Sequence, residues 1–489
     1  MDTKKQNIAM HAFALSNVMV GLESTIVATV IPAIVDDLSG IRLMSWVLTA
    51  YFLMMAVTAP LWTKLAERFG TKPLILIGTG IFVLASLTEG LAVNMYMLIG
   101  ARLAMGIGAG AMVQLPYVIY STQLPTAQRV KQVGNANAAY SIASAVGPLI
   151  GGWIADSLGW RWVFFINIPI GLFMMWLISR NYQESFTPNR QAIDYRGAST
   201  LATTIIALML MIQALGAQTP NLGLVGATAV ITVVVGVFFF WTEHRAVDPI
   251  IPLGLFRNWS YMAKNVLMFC QYGVLSFVNS YIPMWGQGVY GLTALAGGFL
   301  LVPSSVMLAV GTRLNAPLLA RRSEKSVVRR WSLVMFAAVL ILAFIWQTSS
   351  VGFLVVAGAL FGLGAGVVTS TAQVAVQDAV PKRQVGSATA LNALIRTIGS
   401  TLVLSMLSLS LNTTFRHAIA AHSGKIKINQ LNAISSAASA AKLPSHLVPL
   451  LRTILFQGFH WLAIWACLIM AVSLLVSLLD PWRKGGLRD

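Results

Sequence analysis

Charge is scarce in this sequence. Of its 489 residues, 10% are charged and 57% apolar, whereas a soluble chain carries roughly a quarter charged residues. That shortage excludes an ordinary water-soluble globule and points to lipid as the main solvent. Cysteine is nearly missing as well: Cys270 and Cys467 stand in apolar segments about 200 residues apart, giving neither a disulfide framework nor metal spacing. There is no phosphate-binding glycine loop ahead of Lys-Ser/Thr, no His/Cys metal pattern and no nucleophile elbow. These absences speak against ATP-driven pumping, an enzyme, a metal and a cofactor. Acidic residues are few, 15 against 33 basic ones, for a net charge of +18. Nucleic-acid binding is the rival that such a balance raises, but the basic residues are dispersed through short loops, the pattern of topogenic charge.

What the chain has in abundance is apolar runs of membrane-crossing length, with a mean hydropathy of +0.75. A helix of about 20 residues crosses a hydrocarbon core of about 30 Å, and the runs are far longer than the strands of a barrel. Fourteen spans are expected, near 9–33, 43–63, 74–93, 96–118, 133–156, 162–180, 197–216, 223–241, 261–283, 292–317, 331–347, 351–375, 385–410 and 454–479. Lys4 and Lys5 precede the first run, which lacks a cleavage site and reads as a retained helix. Placing both termini in the cytoplasm puts about 23 Lys/Arg inside and about 7 outside. Of the outer ones, Arg42 and Arg161 are in short loops, while Arg416, Lys425, Lys427, Lys442 and Arg452 share one long loop. That loop, 411–453, reads as an extracellular cap of short helical pieces (Ala418 to Ala421, Ala433 to Ala441) broken by Gly424 and Pro444. A direct contact with substrate or partner is its sharper reading.

An internal repeat organises the chain. Gly106 to Gly110 recurs as Gly362 to Gly366, Gln132 to Ala136 as Gln384 to Ala388, and Pro60-Leu61, weakly, as Pro317-Leu318. The offsets are all about 255 residues, so spans 1–6 and 9–14 are expected to be related bundles of like orientation. The expected units are a six-helix bundle in 1–190, an inserted helix pair with linkers in 191–258, and a second bundle in 259–489.

Ionisable groups within spans are costly and therefore candidates for function. Glu23 lies about 13 Å along span 1 from Pro32 at its outer end and is the candidate proton carrier; a structural carboxylate, neutral or paired, is the alternative. Arg102, at similar depth in span 4, is its candidate partner, against an Arg satisfied by carbonyls or by snorkelling. Arg396 is a buried charge near the middle of span 13 with no acid in the same span. Glu89 and Asp156, near outer span ends, are expected at water, and His460 beside Trp461 is expected to pack or to sit at the interface. Gly147, Pro148, Gly151 and Gly152 combine small-residue packing with a helix-distorting proline. Glu67, Arg68 and Lys72, in the first basic loop, could lock the bundles by charge pairing or merely be solvated. Lining of a central cavity is expected from Trp46, Tyr51, Gln114, Tyr117, Asn137, Gln271, Tyr272 and Asn279, with Glu23 among them.

At these residues the sequence resembles the 14-helix drug:proton antiporters of the major facilitator superfamily, from span 1 to span 13. Leu22 to Pro32 resembles the first-helix motif, with Glu23 where aspartate is commoner. Residues 63–72 resemble the loop motif, with Thr63, Glu67 and Thr71 for glycine, aspartate and arginine. Arg102 to Gly110 is similar to the fourth-helix motif of proton transfer, with Met105 where glutamine is frequent. Gly147 to Gly152 matches the antiporter motif of the fifth helix, and Trp160-Arg161-Trp162, Asn167 and Pro169 are also similar. The resemblance implies an all-α membrane protein with the major facilitator fold: two six-helix bundles plus two inserted helices. It implies a monomer in the cell (cytoplasmic) membrane that exchanges protons for lipophilic, cationic drugs. Export of a specific metabolite, such as an amino acid, peptide or siderophore, by the same machinery is the alternative.

Overall fold

The computed structural model describes residues 3–38, 43–184, 194–216, 221–246, 249–381, 384–422, 426, 428–434, 440 and 443–480. Arg42, Gly424, Lys425, Lys427 and Lys442 lie outside the described residues, as do the side chains of Lys4, Lys5, Pro32 and Asp156. The first half contains α1 (Thr3–Leu38), α2 (Met44–Phe69), α3 (Thr71–Gly90), α4 (Met95–Gln123), α5 (Thr126–Ser157), α6 (Trp162–Phe165) and α7 (Asn167–Asn181). Two further helices follow, α8 (Tyr195–Gly216) and α9 (Leu222–Arg245). The rest comprises α10 (Gly254–Arg257), α11 (Trp259–Gly288), α12 (Ala294–Phe299), α13 (Val302–Arg321), α14 (Glu324–Ala343), α15 (Gly352–Asp378), α16 (Val385–Ala421), α17 (Ile428–Ala433) and α18 (Val448–Leu479). No strand occurs among the described residues.

Counting α6–α7 and α12–α13 as interrupted spans, fourteen helical spans among the described residues have membrane-crossing length, and thirteen are also apolar enough for lipid. The exception is α11, whose polar Lys264, Asn265 and Gln271 are all buried against neighbouring helices. Caps end the helices where the sequence allows. The Asn94 carboxamide accepts from Met97 N–H at 2.9 Å and that of Asn258 from Tyr261 N–H at 3.1 Å, each satisfying an orphan donor of the first turn. Gly70, at φ 87°, joins α2 to α3 in a conformation that a side chain would strain. Contrary to the expected boundary at 410, α16 runs on to Ala421, so the 411–453 segment begins as eleven more residues of helix. Of the expected short pieces, Ala418 to Ala421 is the end of that long helix and not a separate piece, and most of Ala433 to Ala441 lies outside the described residues; a short helix at Ile428–Ala433 was not expected.

Residues 9–182 build two adjoining apolar clusters and residues 267–470 build another. A further cluster joins the halves, with Leu53 and Val57 of α2, Leu201 and Ile205 of α8, and Leu391 and Leu394 of α16. The pair α8–α9 thus covers the junction of α2 with α16, while Val230, Val233, Val234 and Val237 of α9 face outward, as lipid requires. The repeated glycines act alike in both halves. A Cβ on Gly106 or Gly110 of α4 would strike α2 at Tyr51 or Thr58; one on Gly362 or Gly366 of α15 would strike α13 at Ser304 or Leu308.

Candidate functional site

Arg102 is anchored before it meets any acid. Its Nε donates to the Val47 carbonyl at 2.7 Å, and its guanidinium carbon stands 4.6 Å from the Tyr51 ring centroid. From that position Nη1 donates to Glu23 Oε1 at 2.5 Å, while Asn167 Nδ2 donates to Glu23 Oε2 at 2.9 Å. Glu23 and Arg102 are 1% and 0% exposed. The expected pairing of the first and fourth spans is present in the structure.

Glu89 overturns an expectation. Although it lies in the last turn of α3, it is wholly buried, not at water, and its Oε1 is 3.7 Å from Arg102 Nη1. Neither carboxyl oxygen has a hydrogen-bond partner among the described residues. The cause is the Trp160 to Asn167 segment, which folds over the end of α3. Ser86 Oγ donates to the Phe164 carbonyl at 2.7 Å, Asn167 Nδ2 donates to Ser86 Oγ at 3.1 Å, and Phe165 packs on Gly90. Depth judged along one helix cannot register a lid supplied by another.

A second constellation lies between the two halves. Tyr117 donates to Asn137 Oδ1 at 2.8 Å, and Asn137 Nδ2 donates to Gln373 Oε1 at 3.2 Å, across α5 and α15. Arg396 of α16 donates to the Tyr272 hydroxyl at 2.9 Å and lies over the rings of Tyr272 and Tyr117. Tyr117, Asn137, Tyr272 and Arg396 are therefore brought together. Gln114 and Gln271 are buried, and none of their side-chain amide atoms is hydrogen-bonded among the described residues. Trp46 is half-buried, and Asn279 is exposed. His460 packs beside Phe456, with ring centroids 6.1 Å apart.

The glycine-proline segment packs α5 on α1. A Cβ on Gly147 would collide with Thr25, and one on Gly151 with Ile26, whereas Gly152 has open space. Pro148 lacks the N–H that would bond the Ser144 carbonyl; Thr25 Oγ1 donates there instead, at 2.8 Å. In the first loop, Lys64 pairs with Glu67 at 3.0 Å, Arg68 stacks on Phe69, and Lys72 donates to the Ser179 and Tyr182 carbonyls. Thr71 bonds Glu184 through both its N–H and its hydroxyl. An ion pair crosses between the halves at Arg129–Asp378, 2.6 Å long, which sequence reasoning missed because both residues sit at ordinary span ends.

Comparison with known proteins accords with this geometry. The family model described as Major Facilitator Superfamily matches residues 13–198 and 195–404. Multidrug resistance protein 3 of Bacillus subtilis is 30% identical over 410 residues, 82% of this chain and 80% of the relative. Multidrug transporter protein MdtP of the same organism is 28% identical over 97% of this chain and 93% of its own. Among solved structures, the human organic anion transporter MFSD10 (TETRAN) shares the fold, with a TM-score of 0.62 at 15% identity over 95% of this chain and 99% of that one.

Proposed function

The chain belongs to the major facilitator superfamily, and from that premise we propose that it is a proton-coupled exporter of lipophilic small molecules. It works by alternating access in the cytoplasmic membrane, with both termini in the cytoplasm. Residues 1–190 and 259–489 are the rocking units, and 191–258 rides at their junction. Support for export comes from relatives named for multidrug resistance and transport.

Support for coupling comes from one observation: Glu23 and Glu89 share a single guanidinium in a site closed to water. With both acids ionised the cluster would carry an uncompensated negative charge, which costs several kcal/mol when buried. One proton removes it. Glu23 accepts two hydrogen bonds and Glu89 accepts none among the described residues, so Glu89 is the member to which we assign the proton. Loss of that proton divides Arg102 between two carboxylates and loosens its grip on Glu23, so the charge state acts on the packing of α1, α3 and α4. A cationic cargo, as the resemblance implies, would have to displace Arg102 from Glu23.

The test is dye transport in proteoliposomes with and without an imposed pH gradient. Glu89→Gln, which fixes the neutral form, is expected to abolish a gradient response of about tenfold while leaving downhill counterflow intact. Glu23→Gln is expected to lose coupled transport with insertion unchanged. A wild-type gradient response in Glu89→Gln would take the proton away from this cluster.

A further inference from the structure

The buried basic side chains among the described residues are Arg102, Arg129, Lys264 and Arg396. Three meet carboxylates: Arg102 with Glu23, Arg129 with Asp378 and Lys264 with Asp480. Arg396 meets none within 4 Å among the described residues. It is 7% exposed, its Nη1 donates to the Tyr272 hydroxyl, and its Nε has no partner among the described residues. The ring centroids of Tyr272 and Tyr117 stand 5.0 and 6.0 Å from its guanidinium carbon. Aromatic faces offset part of the charge, but they are not a counter-ion, and a buried charge without one is costly.

The neighbourhood adds a donor and no acid. The Tyr117 hydroxyl donates to Asn137 Oδ1, Asn137 Nδ2 donates to Gln373 Oε1, and Gln373 Nε2, in a side chain 1% exposed, has no acceptor among the described residues. An unpartnered donor, linked through Asn137 and Tyr117 to an unpaired guanidinium flanked by aromatic faces, suits an acceptor that bears negative charge on an apolar body. The expectation of a cationic cargo needs a carboxylate free to receive it, and Glu23 is already occupied by Arg102 and Asn167.

We propose that Arg396 is the counter-ion for the cargo, and that the cargo is a lipophilic organic anion: a carboxylate, sulfonate or phenolate carried on an aromatic or aliphatic body. This deepens the export reading and rests on it. The site draws Tyr117 and Asn137 from the first half and Tyr272, Gln373 and Arg396 from the second. An anion held there touches both rocking units, and its departure changes the balance between their two arrangements.

The experiment uses two dyes on one xanthene skeleton, anionic fluorescein and cationic rhodamine 123. Flux is measured in proteoliposomes of the full chain under a pH gradient, and binding by fluorescence anisotropy in detergent. Wild type is expected to bind and move fluorescein in preference to rhodamine 123. Arg396→Gln should lower fluorescein affinity and flux about ten- to hundredfold, the range for a lost charge-assisted bond, without lowering rhodamine flux. Arg396→Lys keeps the charge, controls for folding, and should recover part of the loss. Gradient-driven flux of rhodamine 123 alone, or fluorescein handling unchanged by Arg396→Gln, overturns the anion site and leaves export standing. If neither dye moves under the gradient, the export reading fails, and fluorescein binding that does not depend on Arg396 then overturns the site as well.

Discussion

At the scale of residues, the first helix acts as a supplier of hydroxyls to its neighbours. Pro148 frees the Ser144 carbonyl and Pro116 frees the Met112 carbonyl, because each proline lacks the N–H due four residues on. Thr25 Oγ1 donates to the first at 2.8 Å and Ser16 Oγ to the second at 2.9 Å. Thr25→Val keeps the shape and removes the donor, so it should destabilise the protein by about 1 kcal/mol, typical of interhelical bonds in lipid. In a Pro148→Ala background residue 148 supplies its own N–H, and the same change should cost much less. A double-mutant cycle of thermal unfolding in detergent reads the difference; equal costs in both backgrounds would sever the link between the two residues. This pairing is hidden in the sequence, where Thr25 is one hydroxyl among many. Glu23, Arg102 and Arg396 were legible for the opposite reason, since a charge inside an apolar run stands out at once. Glu89 was not, because its burial depends on a segment more than 70 residues away.

At the scale of elements, helix number and order were legible because lipid admits few alternatives to an apolar helix. Helix ends were harder: the continuation of α16 to Ala421 has no more hydrophobic signature than the loop it was assigned to. The junction of α1 with the α5–α6 turn was also invisible. There Arg161 and Trp160 donate to Asp37, at 2.5 and 3.1 Å. Those hydrogen bonds, that of Arg161 foremost, hold the Asp37 carboxyl below its ordinary value; burial opposes them, and the charge of Arg161 adds to them. A carboxyl lowered on folding stabilises the fold above its unfolded value and gives up that help as pH falls through the lowered one. Acidification should therefore free the turn at 158–165 only below the ordinary carboxylate range. Amide exchange there, corrected for intrinsic rates, is expected to rise at low pH in wild type and to be already fast and pH-independent in Asp37→Asn. An Asp37→Asn turn that keeps wild-type protection would deny the pair any part in holding it.

At the scale of the whole molecule, the second repeated landmark marks how the halves meet. Gly134 of α5 lies against Thr312 of α13, and Gly386 of α16 lies against Thr63 and Glu67 of α2. The sequence revealed the repeat without its use, because a glycine packed within a bundle and one packed between bundles look alike in a string. Both crossings lie toward the end where α5 and α16 begin, and near the first of them Arg129 reaches Asp378. Asp378 is one-third exposed, so the pair is worth about 1 kcal/mol at most, a shift of about fivefold in an equilibrium between arrangements. Asp378→Asn should weaken this closure by that factor. If the halves rock as rigid bodies, hydrogen exchange should quicken together at 128–137, beside the lost pair, and at 60–67 and 384–390, where no charge was touched. Local fraying would quicken the first segment alone. That outcome would leave α5 a loose end and remove the rigid rocking on which alternating access depends.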